Sequence, residues 1–271
     1  MHRIDLLSLA RAEIPGPQLF WMAGWGDWHP IRFQVVLIRR GDVVALVNTG
    51  PADDLSVHTR GDYGFLGEGA RMWREGDDGL ILDQLARHGV RPEDVTHVIL
   101  TPLTLHTVSN LMSFPNAQIA LSKTGWAHFH VTKDQSHHRR DDVLPPDLLV
   151  HLVTEAWPRV RLLEDEDELA PGLRTWSAGA HRRSSLCVEV ETNRGTVAIT
   201  DAVYVLENLE RDHPIGVCIS IDEALFVHRR LRASQATVVP LYDPLNFDRF
   251  SHGVVARAKT PDTVSSGRLA Q

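Results

Sequence analysis

The sequence is short of several things, and each shortage excludes something. Only two cysteines, Cys187 and Cys218, stand among its 271 residues. They form no CxxC pair and no dense framework, which excludes a disulfide scaffold and a cysteine-rich zinc module. A reduced, cytoplasmic setting is the simplest expectation. No apolar run approaches the roughly 20 residues that a membrane-spanning helix needs. The N-terminal MHRIDLLSLARAEIPG has too short an apolar run for a signal peptide. Positive charge is in deficit: Lys and Arg number 28 against 35 Asp and Glu, a net charge of -7. Nucleic acid and anionic membrane are therefore not expected as partners. No serine or cysteine sits in a recognisable nucleophile elbow, and no internal repeat is evident.

What remains is ordinary globular material, 43% hydrophobic and 23% charged, long enough for one large core. One domain is expected over residues 1–258, with a polar, disordered tail at 259–271. Residues 33–38 and 43–47 read as strands joined by a turn at 39–42, and the apolar run 98–100 as a buried strand. Further strands are expected at 118–121, 160–163, 173–177, 186–191, 195–200 and 237–240, with an acidic turn at 164–168. Residues 78–88 have helical spacing and end at Gly89. Ser122 can cap a helix to about 131, and 221–232 is an amphipathic helix. Cys187 falls inside a strand and reads as packed. His128 and His130, two apart on a helix, point to different sides and do not share a metal. The run 137–142 reads as solvated loop. Residues 16–30 (GPQLFWMAGWGDWHP) are aromatic and glycine-rich, and are expected to loop over one rim. The long polar insertion 51–76 is expected to be a mobile cover beside it.

The chain is organised around residues 95–122, VTHVILTPLTLHTVSNLMSFPNAQIALS. This stretch resembles the metal-binding segment of the metallo-β-lactamase superfamily, in its lactonase-like branch. There a strand ends in Thr-His-x-His-x-Asp-His-x-Gly, followed by a short helix and a phrase like FPNAQI. Four other strand ends match in order. Asn48-Thr49-Gly50 stands where the family has Asp-Thr-Gly. Ser177-Ala178-Gly179-Ala180-His181 resembles its second ligand loop. Thr200-Asp201-Ala202 resembles Gly-Asp-Ala, whose Asp bridges two metals, and Leu241-Tyr242-Asp243-Pro244 stands where the family has Gly-His-Asp-Pro. The resemblance covers roughly residues 32–244. It implies an α/β fold, a four-layer αβ/βα sandwich with a pocket at one edge.

In this alignment the frame is kept and most of the ligands are not. Pro102 and Thr104 stand for the first two histidines, His106 for the aspartate, Thr107 for the next histidine and Tyr242 for the last. Proline has no side-chain donor, and a neutral threonine hydroxyl is a poor zinc ligand. A dinuclear zinc site is therefore not expected, and the cofactor expectation is none. The alternative is a single Zn or Fe held by His106, His181 and Asp201. In the family, positions 106 and 181 serve different metals, so both loops would have to move.

The leading expectation is a small-molecule pocket for binding or metal-independent acid–base catalysis, with His181, Asp201, His106 and Tyr242 as the catalytic set. Asp201 would orient His181 as a general base. Tyr242 or His106 would act as acid or stabilise an oxyanion. A carboxylate beside an imidazolium should raise the His181 pKa. Asn48, Thr104, Thr107 and Arg182 are the expected ligand contacts. Arg182 and Arg183 at the lip favour a small anionic ligand. The rival expectations are a mononuclear-metal hydrolase of lactones or acyl esters, and a non-catalytic interaction scaffold.

Overall fold

The computed structural model describes residues 1–60, 72–76, 79–132 and 140–257. Its strands, in chain order, are β1 (Arg3–Pro15), β2 (Trp28–Arg40), β3 (Val43–Val47), β4 (Met72–Arg74), β5 (His97–Leu100), β6 (Gln118–Ser122) and β7 (Val160–Leu163). They continue as β8 (Glu166–Ala170), β9 (Leu173–Ser177), β10 (Leu186–Thr192), β11 (Gly195–Thr200), β12 (Thr237–Pro240) and β13 (Val254–Ala256). One sheet runs β13-β1-β2-β3-β5-β6-β7, with β4 also paired to β1; the other runs β12-β11-β10-β9-β8.

Why the sheets lie as they do follows from burial. In β3, β5 and β6, which pair in parallel, Leu46, Ile99 and Ala120 are wholly buried. Such unbroken apolar runs belong to strands covered on both faces. One face carries the helices Ile81–Arg87, Lys123–Val131 and Pro146–Val153. Leu85, Phe129 and Leu152 pack there on Leu46, Val98 and Leu121. The other face meets the second sheet, where Val47 and Ile99 join Leu173, Val188 and Ile199. Beyond that sheet, the helix Ile221–Ser234 sets Val227 and Leu231 against Trp176 and Ala198. The order is helix, sheet, sheet, helix: an α/β, four-layer αβ/βα sandwich. Cys187 is fully buried in the last of these interfaces.

Several local expectations need correction. The acidic turn expected at 164–168 becomes strand after two residues: Glu166, Asp167 and Glu168 pair with β9 as the start of β8. β8 lies at the edge of its sheet, exposing Glu166 and Glu168 while Leu169 is buried. Charge on an edge strand blocks unwanted pairing, so acidity there is compatible with a strand. β13, which extends the edge of the first sheet, was not expected from the sequence. The described ends of the 51–76 insertion are tied down. β4 pairs with Ala10–Ala12 of β1, and the Arg74 guanidinium donates to the carbonyls of Gly79, Ala52 and Asp53. The centre of that insertion, where the mobile cover was expected, lies outside the described residues. So do positions 137–139 of the charge run and the 259–271 tail. No helix among the described residues is long and apolar enough to cross a membrane.

Candidate active site

The five matched strand ends meet at one edge of the sandwich. Asn48 follows β3 in a left-handed conformation (φ 68°), which asparagine tolerates better than most residues. Its amide donates to the Thr101 carbonyl at 2.8 Å and accepts from the Thr101 N–H at 2.8 Å. Asn48 thus clamps the ends of β3 and β5 together. Thr107 does similar work inside the 101–110 loop. Its hydroxyl lies 2.5 Å from the Pro102 carbonyl and 2.8 Å from that of Thr104. Both residues were expected to touch a ligand; both spend these polar atoms on the loop backbone.

Asp201 follows β11 and is fully buried. A buried carboxylate without partners costs several kcal/mol. Here Thr101 Oγ1 donates to one oxygen at 2.5 Å, and Ser185 Oγ and His181 Nδ1 donate to the other at 2.5 and 2.9 Å. Three donors hold the anion, two of them uncharged hydroxyls.

His181 is delivered by a tight turn. Gly179 and Ala180 both adopt positive φ, 57° and 61°. Ala180 is strained there, and the neighbouring helix holds it: its N–H donates to Glu223 Oε2 at 3.0 Å. The turn is also close-packed from behind, since a Cβ on Gly125 would come within 2.4 Å of Ser184. Because a carboxylate only accepts, His181 Nδ1 carries the proton and Nε2 is left as an acceptor. The Tyr204 hydroxyl lies 2.9 Å from that Nε2. The result is a chain, Tyr204 O–H to His181 Nε2, His181 Nδ1–H to Asp201. Exposure rises along it from 0% at Asp201 through 3% at His181 to 9% at Tyr204.

The expected sign of the His181 shift is overturned. Burial of the imidazole, the largest cause, holds its pKa below the ordinary 6.5. Asp201 pulls upward by hydrogen bond and charge but does not win, and the charges of Arg182 and His106 push further down. Removing an imidazolium from water costs more here than one carboxylate returns. The ring is neutral at pH 7.

A second pair stands beside the first. His106, on the short helix Leu105–Val108, lies with its Nε2 at 3.0 Å from the Tyr242 hydroxyl and 3.2 Å from Thr104 Oγ1. The Tyr204 and Tyr242 rings are 4.5 Å apart between centroids. Phe33 abuts both His106 and Tyr242, at 5.0 and 5.8 Å. Leu19, Phe20, Ile31 and Ile215 complete the apolar wall around the two phenols. The 16–30 stretch therefore reaches the site through Leu19 and Phe20, while Trp25 stands 71% exposed. Arg182 is half-buried next to His181, and its N–H donates to Ser185 Oγ at 3.0 Å. Arg183, expected beside it at the lip, makes a 2.6 Å ion pair with Glu223.

Three contributors were missed in the sequence. Tyr204 lies three residues past Asp201, and Thr101 and Ser185 supply the hydroxyls on its carboxylate. Tyrosine scarcity was an available signal for the first: of three tyrosines in the chain, two stand in this site. Among the described residues, no three His, Cys, Asp or Glu side chains are grouped so as to hold a metal ion.

The layered architecture has known counterparts. A hydrolase of the β-lactamase superfamily matches with a TM-score of 0.65 at 14% identity, over 96% of this chain and 91% of that one. An N-acyl homoserine lactone hydrolase, with the product N-hexanoyl-L-homoserine at its catalytic metal centre, matches with a TM-score of 0.71 at 17% identity, over 91% and 95%. The chain has the metallo-β-lactamase fold. It resembles the lactonase-like proteins that share this fold. An N-acyl homoserine lactonase of Bacillus thuringiensis is 24% identical over 174 residues, 63% of this chain. The chain spans 64% of the length of that relative. No family model matches it.

Proposed function

We propose that this site binds a small acyl compound and works on it by acid–base chemistry, without a resident metal pair. The observation that carries the reading is the Tyr204–His181–Asp201 chain. It supplies a neutral imidazole oriented by a carboxylate, with a hydroxyl on its accepting nitrogen. A base within hydrogen-bond reach of the proton it takes is the first requirement of acid–base catalysis.

The two metals implied by the resemblance do not fit the donors present. Zinc is closed by histidine nitrogen, thiolate or carboxylate oxygen. Pro102 has no donor, and the hydroxyls of Thr104 and Tyr242 lie on His106. His181 turns Nδ1 to the carboxylate and Nε2 to a phenol, and Asp201 already accepts three hydrogen bonds. The acyl class comes from the relatives, which are lactonases, and from the acyl-homoserine product held by the structural counterpart. The anionic ligand expected from Arg182 suits this class, since hydrolysis of an acyl compound yields a carboxylate.

Calorimetric titration with N-hexanoyl-L-homoserine in the presence of a chelator tests the reading. Binding that is unchanged by the chelator, and lost in His181→Ala, is the expected outcome. A chain that fails to bind until metal is added would reject it.

The second reading is metal-dependent hydrolysis of lactones or acyl esters, with one Zn or Fe at His106, His181 and Asp201. The structural counterpart, with its product at a catalytic metal centre, favours it. Stoichiometric metal in the purified protein, lost together with stability on chelation, would select it.

A further inference from the structure

We infer that Tyr204 is an acylatable nucleophile, and that the site passes acyl groups from aryl esters and thioesters to water through an acyl-tyrosine. The inference rests on the metal-free reading above. An activated nucleophile needs a base within hydrogen-bond reach and a third group that orients the base. Tyr204, His181 and Asp201 meet that description at 2.9 and 2.9 Å. The two aliphatic hydroxyls beside this chain do not. Ser185 and Thr101 give their protons to the Asp201 carboxylate, behind the base rather than in front of it. Tyr204 is also the outermost member of the chain, the position a reacting group must take. The Tyr242 ring lies 4.5 Å from that of Tyr204, and its hydroxyl, on His106 Nε2 at 3.0 Å, would have to turn from that nitrogen to meet the oxyanion that develops on the carbonyl.

The steps balance without a co-reactant other than water. The Tyr204 oxygen bonds to the acyl carbon as its proton moves to His181 Nε2, and the carbonyl electron pair moves onto oxygen. Collapse restores the carbonyl and breaks the bond to the leaving group, which takes the proton from Nε2. Water then attacks the acyl carbon and gives a proton to Nε2, and the phenol departs with it. The net change is acyl donor plus water to carboxylic acid plus leaving group.

The phenol also sets the substrate class. The tetrahedral adduct expels the weaker base. A tyrosine hydroxyl has an ordinary pKa of about 10, far below that of an alkyl alcohol. An alkyl lactone attacked by Tyr204 therefore returns to lactone. An aryl ester or thioester, whose leaving group is no more basic than the phenol, goes forward to the acyl-enzyme. The acyl part can resemble that of the lactonase relatives while the leaving group differs.

Rapid mixing of the full chain with p-nitrophenyl hexanoate, chelator present, followed by peptide mass spectrometry, tests this. The expected result is a burst of one p-nitrophenolate per chain and a hexanoyl group on the peptide containing Tyr204. Both vanish in Tyr204→Phe, with folding checked by thermal unfolding. Tyr242→Phe keeps the adduct on Tyr204 but slows the burst by roughly a hundredfold. N-hexanoyl-L-homoserine lactone leaves no adduct. A hexanoyl group on another side chain, a burst that survives Tyr204→Phe, or no burst in a chain that binds N-hexanoyl-L-homoserine would each overturn the inference while leaving the acid–base pocket standing. Failure to bind that product at all would remove both.

Discussion

The two histidine–tyrosine pairs of the site share a contact and differ in their backing. His181 meets Tyr204 at 2.9 Å and His106 meets Tyr242 at 3.0 Å. Behind His181 lies Asp201, buried and held by two hydroxyls. Around His106 stand the Thr104 hydroxyl and the edge of Phe33. What a histidine can do depends on the partner of its other nitrogen, which fixes the tautomer and stabilises the imidazolium if it forms. In the first pair a proton taken from Tyr204 finds a counter-charge one ring away. The second pair places the Tyr242 and Thr104 hydroxyls on one nitrogen, Nε2, of His106. In the proposed reading the first pair is the base, because its carboxylate is in view.

The strongest way to break this comparison is to remove the carboxylate. Asp201→Ala strands the donors of Thr101, Ser185 and His181 in the interior. A loss of about 3–5 kcal/mol in urea unfolding is expected, the range for breaking buried charged partnerships. Tyr242→Phe removes one hydroxyl from the other pair and should cost only about 1 kcal/mol. Equal losses would mean that the carboxylate is no more central than the phenol.

Acid sharpens the contrast more gently. Burial holds the folded pKa of His181 below 6.5, and does the same for His2, His97 and His228. Between those depressed values and 6.5 the unfolded chain binds more protons than the folded one, so stability falls as pH drops through that window. Above about pH 6.5 these histidines contribute no pH slope. Urea midpoints across pH 5 to 8 check the sign. Asp201→Asn removes the upward pull on His181, so its titration followed by NMR should move still lower. An unmoved or raised value would sever the pair.

One of the carboxylate's donors can be removed alone. Ser185→Ala keeps Thr101 and His181 on the carboxylate, and should lower stability by about 1.5–3 kcal/mol, the range for a hydrogen bond to a charged group. An effect as large as that of Asp201→Ala would show that Ser185 holds the whole turn rather than one oxygen.

Much of the fold was legible because strand ends leave marks. Apolar runs such as 98–100 fix elements locally, and five strand-end phrases in order fix their arrangement. β8 was hidden because an edge strand can carry the acidic residues that otherwise signal a turn, and β13 because it is three residues long. In the site, Asn48, His106, His181, Asp201 and Tyr242 were found through their places in those phrases. Thr101, Ser185 and Tyr204 were not, because a hydroxyl donor has no characteristic spacing and its partner is chosen by tertiary contact. The sign of the His181 shift was misread for a related reason. Sequence names a charged neighbour, whereas desolvation depends on everything packed around the ring.

In the proposed site, side chains rather than two cations satisfy Asp201 and His181. Anomalous scattering at the zinc edge, from crystals grown with excess zinc, tests it most directly. The expected map has no anomalous density among His106, His181 and Asp201, with the Tyr204 and Tyr242 hydroxyls on the two imidazoles. Two peaks there, roughly 3.5–4 Å apart, with the phenols displaced, would contradict it.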